Sequence, residues 1–454
     1  MSFDAFTLAA AKAADVVRAR PKGTRWFLAC DTDADGLCAA AVTASALSKA
    51  GHRYTIRASR DKTAAAYAQL ANVDADGLVL LDKGSSHLAQ LADIAKATGK
   101  PVVVLDHHNL DMVPAGVALV NPRAAGLDGS RDASAATTAV AFALALAGDA
   151  AVPSAAIGLS GAIGDWQHVP DWKGWNLHLL DLARKAGHVR DVPQPRLIGV
   201  TLAEAIAHFE PAVPGLHGDL PAAQEFLADL GLKAENEAED LTAEERTRLV
   251  SALTLRWLAA GRPEDARSLV VPVEENVRLG TSLRHVFRVV DACGREGHAA
   301  TGIAYLLGDK AAKSEALAIF SRYKATLHEG LRALVETGTS VRQAVQVAWT
   351  ANADYTGMVA GLGMEHFLHD TARPLAILAK RPDGLVQVST RGLEGLVKAG
   401  LDLGAACRTA AASVGAEGGG HPVAAGAVVP EAKVELFLAA LDTALVAQKF
   451  RGAA

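Results

Sequence analysis

The sequence predicts an α/β fold: a parallel-sheet domain, a helical insert, and a smaller α+β domain at the C-terminus. Short apolar runs alternate with helical patterns through the first 120 residues, which is how a parallel sheet covered on both faces reads. The chain has 454 residues, about three times a typical domain. After a long helical stretch, strand signals return from Val341 onward.

Taken in order, an Ala-rich amphipathic helix is expected from Phe6 to Arg20, then a strand from Trp26 to Cys30. A helix from Leu37 to Lys49 ends at Gly51, where a glycine cap belongs. Strands follow at Tyr54 to Ala58, Leu78 to Leu81 and Val102 to Leu105, with helices near Thr63 to Ala71 and Ser86 to Thr98 between them. From Ala133 to Gly187 the pattern is helical, interrupted by GAIGDW, and Val192 to Pro195 reads as a linker. Leu202 to Thr337 is helical and more charged; its densest run, Glu235 to Arg248, reads as a solvated helix face. Strands at Gln346 to Trp349, Leu375 to Ala379 and Leu385 to Thr390 and a helix from Glu431 to Gln448 close the chain. The expected domains are 1–190, 196–338 and 341–454.

Composition narrows the function. Hydrophobic residues are 50% and charged residues 21%, the balance of a folded globular chain. A net charge of −5 gives no global basic footprint, so any nucleic-acid contact is local. Cys30, Cys38, Cys293 and Cys407 show no paired metal spacing, which argues against a disulfide framework or zinc site and for a reducing, cytoplasmic setting. No signal peptide is read, and no uncharged apolar stretch reaches the roughly 20 residues of a membrane span. Val140 to Ala147 is nevertheless very apolar.

Ligands of such sheets collect beyond the carboxyl ends of the strands. There the sequence places Asp31, Asp33 and Asp35 after the first strand, Asp82 after the third, and Asp106, His107 and His108 after the fourth. Carboxylates packed this densely repel one another unless a cation is bound. Carboxylate oxygens with imidazole nitrogens suit manganese, iron or zinc better than calcium. Asp82 shared between two ions about 3.5 to 4 Å apart would satisfy a two-metal phosphoryl-transfer site. A second DADG, Asp74 to Gly77, precedes its strand and reads as an ordinary turn.

The stretches LACDTDADGLCAAAV, VLLDKGSS, VVVLDHHN and GAIGDW, in that order, resemble the four motifs of the DHH phosphoesterase superfamily. VQVSTRG and EGGGHPVAAGA resemble the Ser-x-Arg strand and Gly-Gly-Gly-His loop of its associated C-terminal domain. The resemblance implies two divalent ions, manganese first with magnesium or cobalt as alternatives, held by Asp33, Asp35, Asp82, His107 and Asp165. It also implies that His108 contacts the scissile phosphate, with Asp31 and Asp106 as auxiliary acids. Many members carry a His where this chain has Ala29, so one ion would have fewer protein ligands.

In the C-terminal domain the resemblance makes Ser389, Arg391, Gly418, Gly419, Gly420 and His421 a phosphate clamp. Arg391 can grip phosphate bidentately, and the glycines let backbone N–H groups approach it. Because the clamp lies in a separate domain, closure over substrate would complete the site.

RHVFRVVDACGREGHAATGIAYLLGD resembles a segment of archaeal RecJ-like, GINS-associated nucleases; its Arg284, Arg288 and Arg295 could track a backbone or be ordinary helix-surface charges. The leading expectation is therefore a manganese-dependent, RecJ-like exonuclease acting on single-stranded DNA or RNA, or on short oligonucleotides. The alternatives are a phosphodiesterase for nanoRNAs, cyclic dinucleotides or a nucleotide 3′-phosphate, and a replication scaffold. A replication or repair protein could bind through the helical insert; no membrane partner is expected.

Overall fold

The structure, a computed structural model, describes residues 3–448 except Asp111, Pro170, Arg196, residues 198–200, His208, Glu210, Ser268, residues 365–367 and His369. It divides into two compact units, residues 1–196 with 264–321 and residues 197–263 with 322–454.

The first unit opens with helix α1 (Asp4–Arg18), strand β1 (Arg25–Cys30), α2 (Ala34–Lys49), β2 (Arg53–Ala58) and α3 (Ala64–Ala68). It continues with β3 (Gly77–Leu81), α4 (Leu88–Thr98), β4 (Val102–Leu105) and β5 (Val117–Val120). These strands make one parallel sheet in the order β2-β1-β3-β4-β5. Central β3 and β4 are buried at every residue, which is why they read as unbroken apolar runs, whereas edge strand β2 is largely exposed. One face packs Phe27, Leu80 and Val104 against Tyr67, Leu88 and Leu91 from the α3–α4 side. The turn at Asp74 and Asp76 precedes β3 and is ion-paired to Arg25, as expected of a structural copy of the DADG motif.

Helices α5 (Ala135–Ala147), α6 (Ala155–Gly164) and α7 (Gly174–Lys185) follow. The stretch 135–164 is apolar and long enough by composition to cross a membrane, but a 3₁₀ segment containing Pro153 breaks it. Its apolarity comes from packing: α5 contacts α1, α2 and α6.

Val192–Pro195, expected as a linker, instead lies in strand β6 (Val189–Pro195), paired antiparallel with β7 (Val270–Asn276). β6 is an edge of the three-stranded sheet that it forms with β7 and the short strand Thr281–Ser282, where the missing proline N–H groups are tolerated. Between β6 and β7 the chain builds α8 (Leu202–Ala207), α9 (Leu220–Asp229) and α10 (Ala243–Ala259) of the second unit, then the turn α11 (Pro263–Ala266). The charge run there is a solvated face only in part. Glu237 is buried, and Lys324 lies 3.7 Å from it and 2.7 Å from Asp240.

β8 (Thr281–Ser282), α12 (Leu283–Arg295), α13 (Ala299–Leu307) and the start of the next helix, as far as Ser321, complete the first unit, so the region read as a helical insert also carries strands. α12 packs on α2 and α6, and a Cβ at Gly294 would lie 1.7 Å from the Thr32 carbonyl oxygen. Only glycine allows α12 this close to the loop after β1. Gly294→Ala is expected to destabilise the first unit by about 1–3 kcal/mol through overpacking, read as a lower urea midpoint; an unchanged midpoint would contradict this contact. The arginines of α12 are engaged within the fold: Arg284 donates to His168 Nε2 at 3.1 Å, Arg288 lies over the Phe320 ring, and Arg295 pairs with Asp291.

Helix α14 (Lys310–Thr337) precedes β9 (Ser340–Val341), β10 (Gln346–Trp349), α15 (Thr356–Leu362), β11 (Leu375–Lys380) and β12 (Leu385–Arg391). Then come α16 (Glu394–Lys398), α17 (Leu403–Ser413), β13 (Glu417–Gly420), β14 (Ala424–Pro430) and α18 (Val434–Ala447). The six strands form a mixed sheet, β13-β14-β12-β11-β10-β9, whose core joins Val388 and Leu378 to Cys407, Phe437 and Leu441. All four cysteines are buried and unpaired.

Candidate metal centre

Strand register assembles the site. Cys30 is aligned with Leu81 and Leu81 with Leu105, so the next residues, Asp31, Asp82 and Asp106, form a row across three adjacent strand ends. The ladder runs one step beyond the strands: Asp31 N donates to Leu81 O at 3.3 Å, Asp82 N to Leu105 O at 3.0 Å and Asp106 N to Val120 O at 3.2 Å. The strand order reverses between β1 and β3, the crevice where doubly wound sheets bind ligands.

Two carboxylates of the first loop serve the fold as well. Asp33 caps α2 and accepts from Gly36 N at 3.0 Å, worth about 1 kcal/mol. Asp35 is buried at the N-terminus of α5, accepting from Ser134 Oγ at 2.7 Å, Ala135 N at 2.7 Å and Ala136 N at 3.0 Å. Free amides and the helix dipole at that end favour an anion. A Cβ at Gly161 of α6 would lie 2.7 Å from Asp35 Oδ1, so α6 floors the site at close range.

His107 stands at the centre. Its Nδ1 lies 2.6 Å from Gly129 O, an acceptor only, so Nδ1 carries the proton. Nε2 is thereby turned toward carboxylates: Asp165 Oδ2 at 3.2 Å, Asp82 Oδ1 at 3.3 Å and Asp35 Oδ2 at 3.9 Å. Burial opposes charge on the ring, yet Asp82, Asp165 and Asp35 outweigh it and raise the His107 pKa well above the ordinary value.

Asp82 adopts φ +59°, a left-handed conformation that costs a non-glycine residue about 1–2 kcal/mol. Its Oδ1 is buried and accepts no hydrogen bond. Burial first, and the charge of Asp33 next, push its carboxyl well up; burial and Asp35 do the same to Asp165. Burial and Asp31 raise Asp33. A buried, unsatisfied carboxylate oxygen beside an imidazole whose Nε2 points inward is a donor set that fits a divalent cation.

The ligand atoms fall into groups whose members all lie within 4.8 Å of one another: Asp35, His107 and Asp165; Asp31, Asp33 and Asp82; and Asp82, His107 and His108. In the last group His108 Nδ1 is engaged by Asp106 Oδ1 at 2.8 Å, which leaves Nε2 of this half-exposed ring for a ligand beyond the cluster. Asp106 is buried and also accepts from His107 N and Ser85 N. Burial would raise its pKa, but the His108 hydrogen bond and the charges of both histidines hold it well below the carboxylate range. Asp31 accepts from Thr32 N and pairs with Lys62 Nζ at 2.5 Å, which, against burial, raises the lysine pKa to about 12. Ala29 faces the α3–α4 side, lining a cavity of about 110 Å³ with Lys83 and Arg57.

Every residue expected at the metal cluster, with Asp31, Asp106 and His108, is thus gathered at one edge of the β1-β3-β4 sheet. The sequence reading did not single out Lys62, Ser134, Thr137, Gln167 or Asn176. Polar residues inside an apolar helical stretch, such as Ser134-Ala-Ala-Thr137, were the available signal for two of them.

The residues expected to form a phosphate clamp lie in the second unit. Ser389 and Arg391 share one face of β12, and Ser389 Oγ is 2.9 Å from Thr356 Oγ1 of α15. Across the sheet Ser389 aligns with Gly426 and Gly426 with Gly419, while Arg391 aligns with Ala424 in the hairpin that carries His421. The glycines form an edge strand rather than an irregular loop, and Gly418 has a packing role of its own: a Cβ there would lie 2.9 Å from Ala411 Cβ. Gly419 and Gly420 have φ +156° and +146°, backbone that other residues rarely adopt. His421 at the hairpin end is exposed.

Comparison with known proteins agrees with the motifs. Residues 26–159 match the DHH family, N-terminal domain, and residues 342–447 match the DHHA1 domain. An uncharacterized protein of Methanocaldococcus jannaschii is 26% identical over 425 residues, 90% of each chain. The structure of exonuclease RecJ bound to manganese superposes with a TM-score of 0.60 at 19% identity, covering 96% of this chain and 94% of that one. CDC45 from Entamoeba histolytica superposes with a TM-score of 0.62 at 11% identity over 97% and 99%. Two domain matches in the order of the motifs, on a fold shared with RecJ, make this chain a member of the DHH superfamily.

Proposed function

We propose that this chain is a manganese-dependent phosphodiesterase that hydrolyses single-stranded nucleic acid from an end. The observation that carries the reading is the buried, unsatisfied Asp82 Oδ1 facing His107 Nε2 amid Asp33, Asp35 and Asp165. In this reading Asp35, His107 and Asp165 hold one ion and Asp31, Asp33 and Asp82 a second, with Asp82 and His107 at their junction. Such ions supply positive charge against phosphate oxygens and make water nucleophilic at neutral pH.

The chain's own groups do the rest. Gly129 O fixes the proton of His107 on Nδ1, so that Nε2 offers its lone pair. Asp106 orients His108 through Nδ1 and leaves its Nε2 for the substrate phosphate group. Asp31 takes the role left open by Ala29, with Lys62 neutralising it until a cation arrives. Ser389, Arg391 and the Gly418–His421 strand and hairpin end grip a substrate phosphate.

A polymeric, base-bearing substrate is favoured by Trp166. It directly follows Asp165, is 55% exposed, and has φ +58°, an unusual conformation for so large a side chain. Its indole is a surface on which a base can stack, a contact worth about 1–3 kcal/mol. Trp166→Ala is expected to raise KM for oligonucleotides about tenfold with little loss of kcat, measured by steady-state cleavage; unchanged KM would exclude stacking there.

The deciding experiment is one time course with Mn²⁺ on 5′-labelled and 3′-labelled DNA and RNA, from dinucleotides to long oligomers. Progressive shortening from one end supports the proposal. Cleavage of dinucleotides alone would replace it with a short-oligonucleotide phosphodiesterase, and no cleavage of any substrate would refute it.

A further inference from the structure

Asp35 and His107, two donors of one ion group, are also joined behind the site by a buried chain of hydrogen bonds. Ser134 Oγ donates to Asp35 Oδ1 at 2.7 Å, and Ser134 N donates to Thr137 Oγ1 at 2.9 Å. Thr137 Oγ1 donates to Asn176 Oδ1 at 2.7 Å, Asn176 Nδ2 to Gln167 Oε1 at 2.7 Å, and Gln167 Nε2 to Gly129 O at 3.0 Å. The same carbonyl accepts from His107 Nδ1 at 2.6 Å. Ser134, Thr137, Gln167 and Asn176 are all wholly buried.

The direction of the chain is forced at both ends. Gly129 O can only accept, so Gln167 presents its NH₂ there and its Oε1 to Asn176. Asn176 must then give its NH₂ to Gln167 and its Oδ1 to Thr137, whose hydroxyl donates. A carboxylate likewise can only accept, so the Ser134 hydroxyl points at Asp35. No member can reverse without leaving a buried polar group unpaired, at a cost of about 1–3 kcal/mol. The chain also ties together the segments that carry the ligands: the 128–132 turn, the start of α5, the turn after Asp165, and α7.

We propose that Ser134, Thr137, Asn176 and Gln167 are a positioning relay that sets Asp35 and His107 relative to each other as donors to one ion. Its consequence for turnover rests on the metal-dependent phosphodiesterase reading, but its mark is metal affinity, because partners behind metal ligands typically tune affinity about 10–100-fold. The relay is distinct from the candidate ligands: its side chains are two hydroxyls and two carboxamides engaged in the hydrogen bonds of the chain itself.

The test uses the full chain with Thr137→Val and Gln167→Met, near-isosteric changes that add no charge. Mn²⁺ affinity is measured by titration calorimetry or by the free-ion EPR signal, and the metal-free unfolding temperature is recorded beside it. Each variant is expected to bind Mn²⁺ about 10-fold more weakly. The double variant should be scarcely weaker than either, because both cut the same chain. Thr137→Ser, which keeps the hydroxyl, should restore wild-type affinity. Variants that fold and bind Mn²⁺ as the wild type does, or whose losses simply add, overturn the relay. If wild-type protein binds Mn²⁺ and the variants weaken binding, yet no nucleic acid is cleaved, the relay stands and the phosphodiesterase reading falls. If Gln167→Met fails to fold, the comparison of Thr137→Val with Thr137→Ser decides.

Discussion

Asp82→Asn is expected to lose hydrolysis by about 10³-fold or more while its metal-free form unfolds no earlier than the wild type. The two halves of this expectation have one cause. Asp82 Oδ1 is buried without a hydrogen bond, and the carboxylate is surrounded by Asp33 and Asp35. In the metal-free fold such a group is a liability, since burial beside other carboxylates makes its charge costly and His107 alone offsets only part of that cost. Asn keeps the volume and tolerates left-handed backbone, so little is lost from the fold. Turnover depends on the missing anion and should vanish, whereas Mn²⁺-induced stabilisation should shrink, because the group containing Asp82 loses a donor while Asp35, His107 and Asp165 remain. For the wild type that stabilisation is about 2.7 kcal/mol at a hundredfold excess over Kd. Thermal unfolding with and without Mn²⁺, beside a cleavage assay, reads all three quantities. An active variant, or a metal-free form that melts several degrees early, would contradict the assignment of Asp82 as a group held ready for a cation.

Asp35→Asn is expected to behave in the opposite way, destabilising the first unit by about 3 kcal/mol even without metal. Asp35 accepts from Ser134 Oγ, Ala135 N and Ala136 N, so an amide in its place turns an N–H toward donors that need an acceptor. The start of α5 would lose its anion at the positive end of the helix dipole. For a unit of this size that loss corresponds to a fall in melting temperature of about 10 °C. Calorimetry of the metal-free proteins checks it. If Asp35→Asn melts with the wild type, Asp35 is a metal ligand alone and has no part in holding α5.

The acidic residues gathered at this site therefore divide by what they do in the metal-free fold. Asp35 and Asp106 are bound by N–H donors and help build the structure, Asp33 caps a helix but is also raised toward protonation, and Asp82 and Asp165 are raised toward protonation. The motifs alone separate Asp106, as an auxiliary acid, from the other four and no further. The division follows from which loop residues meet a helix N-terminus or backbone amides, and that depends on packing.

The sequence by itself determined the α/β class, the strand-end carboxylates and histidines, and the contrast between the two DADG copies. The reason is local: strands buried on both faces must be apolar throughout, and the polar residues that interrupt them mark the ends where ligands bind. β3 and β4 show this, with Asp82 and Asp106 at their ends. Only the tertiary structure decided that Val192–Pro195 is a strand, that residues 264–321 fold with the N-terminal segment, and that Gly294 lets α12 touch the Thr32 carbonyl. It alone joined Asp35 to His107 through Ser134, Thr137, Asn176 and Gln167. Those contacts link residues far apart in the chain, and each of these side chains, read in its own segment, looks like an ordinary polar residue. Register across parallel strands and the one-way chemistry of buried donors and acceptors give them their places, and neither is written in any local stretch of sequence.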